Sequence, residues 1–410
     1  MKTYDVAVIG AGASGLCAAI NCARGNENSN IIVIEHLQRV GKKILATGNG
    51  RCNLTNINAS EHPYNNFAFA QHALNKFNVE KTLAFFESLG LFTVTDNEGR
   101  VYPMSNTAAS VLDVLRFEVS RLGIETLCGF HVDNVQFKND KYIINDKIVA
   151  SRVIIACAGK AAPSHGSDGS GFEILKKLGY NITTLSPALV KLKTERDKIK
   201  PLKGIRAKVD LEVIINDKPC AKSSGEILFT DYGVSGIAAM DTSRCVAQHF
   251  ANDKSGECKL IIDFAPSFNK EEITDILKSI ITHNPNLPIE TVLIGVVPKA
   301  VCVAVCKTVG LSGLSKPVKT LDSSFVEKVA ETLKRFELNV VGTKGYVSAQ
   351  VTAGGVDVNQ FNQKTLESKK HKGLYCCGEI LDVDGSCGGF NLQWAWSSGL
   401  LAGENASIKE

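Results

Sequence analysis

The chain contains no Cys-x-x-Cys pair, so neither a thioredoxin-like dithiol nor a paired-cysteine zinc knuckle can be read from it. Its 13 cysteines are odd in number and spread through 410 residues. That pattern does not suit a small secreted domain held by disulfides, and a reducing, cytoplasmic setting with mostly buried thiols is expected. Cys302 and Cys306 could share a helix face, but no two further ligands stand near them, so packing is expected and no metal. No run of about 18 apolar residues occurs, so no membrane-spanning helix is expected. The apolar start of the chain is broken by Asp5 and three glycines, which reads as a folded element rather than a signal peptide. An excess of one charge sign is also missing: 46 basic against 42 acidic side chains leave a net charge of +4. On that balance neither nucleic acid nor an anionic membrane is expected as a partner, and Lys369, Lys370, His371 and Lys372 read as a surface turn. Internal repeats and low-complexity linkers are absent too.

What remains is an ordinary globular composition, 44% hydrophobic and 21% charged, with length for two or three domains. Tyr4 to Ile9 forms a β-rich run. Gly10, Gly12 and Gly15 follow in GxGxxG spacing, with Ala13 and Ser14 between them, and then a small-residue helical stretch from Leu16 to Ala23. A second β run, Ile31 to Ile34, ends at Glu35. Strand, tight glycine turn, helix and terminal acid together form the Rossmann-type dinucleotide fingerprint. Gly10 permits the turn, Gly12 admits a pyrophosphate to the backbone, and Gly15 lets helix and strand approach. Glu35 suits a ribose 2′-hydroxyl and would repel a 2′-phosphate, which selects FAD or NAD over NADP for this site.

The choice between FAD and NAD rests on two further segments. Gly41 to Asn53 is a polar, glycine-rich loop containing Lys43, Gly48, Asn49, Gly50, Arg51, Cys52 and Asn53; it suits a diphosphate and a polar flavin edge, and it also fits a solvated loop. At the other end, a buried strand runs into Gly378 and Glu379, and Gly388, Gly389, Phe390 and Asn391 lead into a helix containing Trp394 and Trp396. Glycines ahead of a helix let a flat ring reach bare backbone at the positive end of the helix dipole. The plain alternative is a capped core helix. Ala158 and Gly159, closing a strand from Val153, fit either a second glycine-containing crossing under the flavin or an ordinary strand end.

These segments, together with Gly99-Arg-Val-Tyr-Pro103, Gly225 to Thr230 and Gly233 to Gly236, resemble a family of bacterial FAD-dependent flavoproteins that includes BaiN-type bile-acid reductases and aminoacetone oxidases. The likeness runs from one terminus to the other. It implies FAD contact by Gly10, Gly12, Ala13, Ser14 and Gly15, ribose contact by Glu35, and ring or phosphate contact by Gly48 to Asn53. It further implies that Gly378 and Glu379 meet the ribityl chain, and that Gly389, Phe390 and Asn391 meet the pyrimidine end. Ile237 departs from the pattern, since many relatives carry proline there.

The expected architecture is therefore α/β. A Rossmann-type FAD-binding domain is built from both chain ends, residues 1–185 and 343–410, with an inserted β-rich and then helical substrate domain at 186–342. Helices are expected at Val79 to Leu89 and Asn106 to Leu122, strands at Glu125 to Phe137 and Val153 to Cys157, and β character again at Tyr346 to Val358. In the insert, the alternation from Ile205 to Val213 predicts a half-buried antiparallel strand, followed by helices at 270–282, 298–309 and 323–336. Gly166 to Gly171 has glycines without the fingerprint spacing, so no second nucleotide domain is expected, and a diffusible NAD(P)H would share the flavin's open face with the substrate. Three functions stay open: an NAD(P)H-linked reductase of a steroid-like or bile-acid-like enone, a small-amine oxidase releasing peroxide, and a flavin-stabilised RNA-modifying or scaffold protein. Tyr232 is the candidate proton donor, with half-buried packing as its plainer role.

Overall fold

The computed structural model describes residues 1–61, 64–252 and 256–408. Two compact units divide the chain: Met1–Pro187 with Gln350–Glu410, and Ala188–Ala349.

The first unit is organised on a seven-stranded sheet. Its parallel centre places the strand Lys2–Ile9 between Ile31–Glu35 and Ile148–Ile155, in a register that sets Val8 beside Val33 and Ile154. Leu374–Cys376 joins the far side of Ile148–Ile155 in parallel, so the C-terminal segment completes a sheet begun by the N-terminus. All five residues of Ile31–Glu35 are buried, as a strand covered on both faces requires. The helix Ala13–Gly25 packs against the C-terminal helix Phe390–Ser407 at a distance only glycine permits. A Cβ on Gly399 would lie 2.4 Å from the Ser14 carbonyl oxygen, and one on Gly403 2.2 Å from that of Ala18. Trp394 and Trp396 are fully buried, and each indole N–H has a partner, the carbonyls of Gly378 and Leu54.

The second unit is a closed six-stranded barrel in the order Leu192–Thr194, Gly233–Ser235, Lys218–Phe229, Arg206–Ile215, Cys258–Asp263, Phe336–Thr343. Lys270–His283, Lys299–Thr308 and Ser323–Lys334 are its longer helices after the β-rich part. Asn269 and Glu272 form a reciprocal capping box that fixes where the first of these begins. Ile237 is the first residue of a short helix, Ile237–Asp241, after Gly236. That is a position where proline is also at home, so the departure from the family pattern leaves the local geometry intact.

Two expected strands are shorter than the residue pattern suggests. Glu125 to Phe137 divides into Glu125–Cys128 and Val135–Lys138. Between them Gly129 takes a φ of 70°, and the Gly129 and Phe130 N–H groups donate to the carbonyls of Leu37 and Glu35, drawing the chain across the end of the second strand. In Tyr346 to Val358 only Val351–Ala353 is extended in a sheet, flanked by single helical turns at Tyr346–Ser348 and Val358–Gln360.

Candidate functional site: a nucleotide cradle built from both termini

The glycine turn has the geometry its spacing predicts. Gly10 sits at φ 103°, and a Cβ there would lie 2.5 Å from the Ala156 carbonyl oxygen; one on Gly15 would lie 1.9 Å from the carbonyl oxygen of Gly10. At Gly12 a Cβ would meet no protein atom within 4 Å, so this face of the turn is open to a ligand. The helix that starts at Ala13 has no side-chain cap, leaving its first N–H groups and the positive end of its dipole to an anion. Glu35 is buried at the end of its strand. Its Oε2 accepts from the Ala11 N–H at 3.0 Å and its Oε1 from the Leu37 N–H at 2.9 Å, with His36 Nδ1 3.2 Å from the same Oε1; this fixes the plane of the carboxylate and leaves Oε2 a further lone pair. Gly10, Gly12, Glu35, Lys43 and Ala158 all line one cavity. Side chains that composition gave no reason to select line it as well: His36, His131, His165 and Ser167. The Ser167 hydroxyl is buried and has no hydrogen-bond partner among the described residues.

Gly41 to Asn53 is more ordered than a loop. Lys42–Ala46 is helical, and the chain then turns through left-handed conformations at Gly48, Asn49, Gly50 and Cys52, with φ of 55°, 56°, 85° and 57°. Asn49 and Cys52 hold that conformation without being glycine, at a cost on the order of 1 kcal/mol each. Lys43 donates to Glu379 at 2.6 Å, an ion pair that ties the N-terminal segment to the C-terminal one. The second oxygen of Glu379 accepts from the Thr352 N–H at 2.8 Å, and the Thr352 hydroxyl accepts from the Lys160 and Ala161 N–H groups at 2.7 and 3.0 Å. Gly159 lies against this cluster: a Cβ there would be 2.4 Å from the Thr352 hydroxyl. Ala158 holds a φ of 57°. Arg51 places its guanidinium 4.7 Å from the centre of the Tyr102 ring. Burial pushes the Cys52 thiol up to about 11, and at neutral pH it is a neutral packing group.

At the C-terminal side, Gly378 sits at φ 78° with its N–H donating to the Ser398 hydroxyl at 2.9 Å, while Ser14 donates to the Cys377 carbonyl at 3.4 Å. Gly388 and Gly389 take φ of 126° and 103° just ahead of Phe390. A Cβ on Gly389 would stand 2.5 Å from the Thr55 carbonyl oxygen and 3.0 Å from Asn53 Oδ1. This brings Asn53 to the start of the C-terminal helix. Its Oδ1 is buried and accepts no hydrogen bond from any described residue, and the helix behind it has no side-chain cap. A buried acceptor beside uncapped helix N–H donors suits the alternating donors and acceptors of a flavin pyrimidine edge. Two expected contacts are occupied with the protein itself. The Asn391 amide accepts from the Gly385 N–H at 2.9 Å and donates to the carbonyls of Gly385 and Ser386 at 2.8 and 3.1 Å, so it shapes the loop. Phe390 packs edge-on to Tyr64, whose hydroxyl donates to the Phe390 carbonyl at 3.0 Å.

Tyr232 belongs to the inserted unit. The Lys344 ammonium lies 4.5 Å from the centre of its ring, and its carbonyl accepts from the Thr194 N–H at 3.1 Å. Among the described residues no group of three or more His, Cys, Asp and Glu could hold a metal ion, and no helix is long and apolar enough to cross a membrane.

A sheet whose parallel centre carries the dinucleotide turn, completed by a glycine-headed C-terminal helix, is the Rossmann-type architecture of FAD-dependent oxidoreductases, the class to which the chain's relatives assign it. The chain belongs to the HI0933-like protein Rossmann domain family, whose model matches residues 4–405. It is 38% identical to the 3-dehydro-bile acid delta(4,6)-reductase of Clostridium scindens, over 98% of both chains. It is 28% identical to the ribosomal RNA dihydrouridine synthase of Haemophilus influenzae, over 95% of both. Among solved structures, the 3-ketosteroid-delta4-(5alpha)-dehydrogenase of Rhodococcus jostii in complex with 4-androstene-3,17-dione aligns with a TM-score of 0.50 at 14% identity, covering 100% of this chain and 97% of that one, a likeness of fold.

Proposed function

We propose that this protein is an NAD(P)H-linked ene reductase, acting on a carbon–carbon double bond conjugated to a carbonyl in a steroid-like or bile-acid-like substrate. The observation that carries this reading is the 38% identity to a bile-acid delta(4,6)-reductase, sustained across 98% of the chain. Bound FAD would supply the hydride chemistry, accepting from nicotinamide and donating to the substrate. The chain's own residues would do the rest. Gly10 to Gly15 and the helix N-terminus at Ala13 hold the pyrophosphate, Glu35 the adenosine ribose, and Glu379 and Lys43 the ribityl side. Asn53 and the N–H groups of the C-terminal helix orient the pyrimidine edge and place a positive dipole end beside it.

The test is anaerobic. NADH or NADPH should bleach the yellow protein, and a 3-oxo-4,6-diene steroid should restore the colour with one double bond reduced per flavin reoxidised. A flavin that neither nucleotide bleaches would overturn the reading, and peroxide release driven by aminoacetone without nicotinamide would replace it with an amine oxidase.

A second reading shares the same chemistry. The uracil ring also holds a carbon–carbon double bond conjugated to a carbonyl, and the full-length likeness to a ribosomal RNA dihydrouridine synthase supports uridine in RNA as the acceptor. The same reduced protein, offered a uridine-rich RNA, distinguishes the two: reoxidation with formation of dihydrouridine favours this reading, and reoxidation by the steroid alone removes it.

A further inference from the structure

The even charge of the whole chain conceals an uneven division. Residues 1–187 and 350–410 together hold 23 basic and 23 acidic side chains, whereas Ala188–Ala349 holds 23 and 19. All of the net positive charge therefore lies in the inserted unit. It is concentrated further within that unit: residues 191–208 contain eight Lys or Arg against Glu195 and Asp197, while the rest of the insert holds 15 basic and 17 acidic side chains. We propose that this segment is a phosphate-backbone-binding surface whose partner is RNA, an inference that rests on the uridine reading above.

Local structure explains why the cations face outward. The segment leaves the strand Leu192–Thr194, passes through a helical turn at Lys200–Leu202, and enters Arg206–Ile215, joining two strands that are not neighbours in the barrel. Ile199 and Leu202 are buried in the barrel core, at 1% and 0% exposure, which turns the intervening side chains to solvent. Some of this charge is compensated. Lys200 pairs with Asp197 at 2.8 Å, Arg206 with Glu226 at 2.5 Å, and Lys198 donates to the Glu337 carbonyl at 3.0 Å. Lys208 stands opposite Glu226 in the strand register, but that carboxylate is already taken by Arg206. Glu195 accepts from the Asn339 side chain. Lys193, Arg196, Lys203 and Lys208 are exposed, and no ion pair among the described residues involves them.

Three considerations select the partner. A steroid acid carries one anionic group and cannot use several uncompensated cations, whereas a polynucleotide presents one charge per nucleotide. An anionic membrane surface is held most firmly where apolar side chains insert beside the cations, and the large apolar residues of this segment are turned into the barrel. The segment also borders an aromatic ring with a cation above it: the Thr194 N–H donates to the Tyr232 carbonyl, the Lys344 N–H donates to the Lys191 carbonyl, and the Lys344 ammonium covers the part-exposed Tyr232 ring. Cations beside a part-exposed ring are groups that single-stranded RNA recognition uses, the first for phosphates and the second for stacking a splayed base.

The experiment measures fluorescence anisotropy of a labelled uridine-rich 20-nucleotide RNA with the FAD-loaded full chain, between 50 and 200 mM KCl. Binding should weaken steeply with salt. The variant Lys193→Gln/Lys203→Gln/Lys208→Gln should bind about tenfold or more weakly and reduce the log–log salt slope by about 2, near 0.7 for each phosphate of a single strand that is no longer neutralised. A control variant, Lys316→Gln/Lys319→Gln, removes two exposed charges elsewhere in the insert and should bind as the parent does. Equal weakening in the control, or no RNA binding by the parent at low salt, overturns the proposal. So does retention of phosphatidylglycerol vesicles, but not RNA, with the same lysine dependence, which would assign the surface to a membrane. Reoxidation of reduced flavin by the same RNA is read separately: binding without reoxidation sinks the uridine reading and leaves the surface standing, and reoxidation with unaltered binding in the triple variant sinks the surface alone.

Discussion

Asn53 is the residue where the protein by itself leaves the clearest polar debt. Its buried Oδ1 has no partner among the described residues, and a buried unpaired acceptor costs about 1–3 kcal/mol. Replacement by an apolar residue of similar size should remove that cost in the FAD-free protein and remove a flavin contact in the loaded one. Asn53→Leu is therefore expected to keep or raise the thermal midpoint of the FAD-free protein while weakening FAD binding about tenfold, the equivalent of roughly 1.4 kcal/mol. Thermal melts and a flavin fluorescence titration check both halves; equal destabilisation in both states would make Asn53 a fold residue only. Asn391 is expected to behave in that second way. Its amide is fully engaged with Gly385 and Ser386, so Asn391→Ala should lower the melting temperature with and without FAD.

At the scale of elements, the two terminal helices depend on glycine. Gly399→Ala and Gly403→Ala would each drive a methyl group to within 2.4 Å of a backbone oxygen on the helix Ala13–Gly25. Overpacking of this kind costs typically 1–3 kcal/mol, roughly 2–4 °C of melting temperature per kcal/mol for a unit of this size. Because the shifted helix carries the dinucleotide turn, FAD affinity should fall with stability, and calorimetry of the loaded and FAD-free variants reads both. A second tie on the same helix is electrostatic. Glu118, on the helix Ala108–Arg121, is held down to about 2 by its hydrogen bond from Arg121 and by Arg24. A carboxylate whose folded value is depressed stabilises the protein above its unfolded pKa, near 4.3, and that stability is lost as pH falls toward 2. Glu118→Gln should thus lower the denaturation midpoint at pH 7 and make little difference near pH 2; an equal effect at both would refute the charge-based account.

These elements also mark what could be read from residue order. The first strand, helix and second strand were legible because the glycine spacing, the apolar runs and Glu35 all constrain one another over a short stretch. The Phe67–Lys76 helix was not, since Asn66 begins it in a left-handed conformation without a side-chain cap, so neither a stop nor a start signal is written there. The residue pattern over Glu125 to Phe137 does not show where the strand breaks, because the interruption comes from bonds to Glu35 and Leu37, nearly a hundred residues away. In the proposed cradle, spacing points to the glycines and Glu35, and the segments that hold them point to Lys43 and Glu379. Thr352 and Ser167 did not, since a lone hydroxyl carries no motif and its place is set by the fold. The overall charge count hid the basic run of the insert for a related reason: averaging over the chain erases a local excess that a count over residues 191–208 restores.

For the whole molecule, the account requires that distant parts of one chain close a single FAD site. The sheet already joins them, with Leu374–Cys376 paired to Ile148–Ile155, which pairs in turn with Lys2–Ile9. The Lys43 to Glu379 ion pair and the contact of Gly389 with Asn53 join them again at the site. The most direct measurement is equilibrium FAD binding by the purified full chain alongside Glu35→Gln, from the first part, and Glu379→Gln, from the last. The parent chain should bind one FAD, and each variant should bind it at least about tenfold more weakly at a temperature where its FAD-free form is still folded, since each carboxylate also accepts a backbone N–H and its amide should lower the melting temperature as well. A folded parent that stays colourless in excess FAD, or a Glu379→Gln variant that binds FAD as tightly as the parent, would contradict the account.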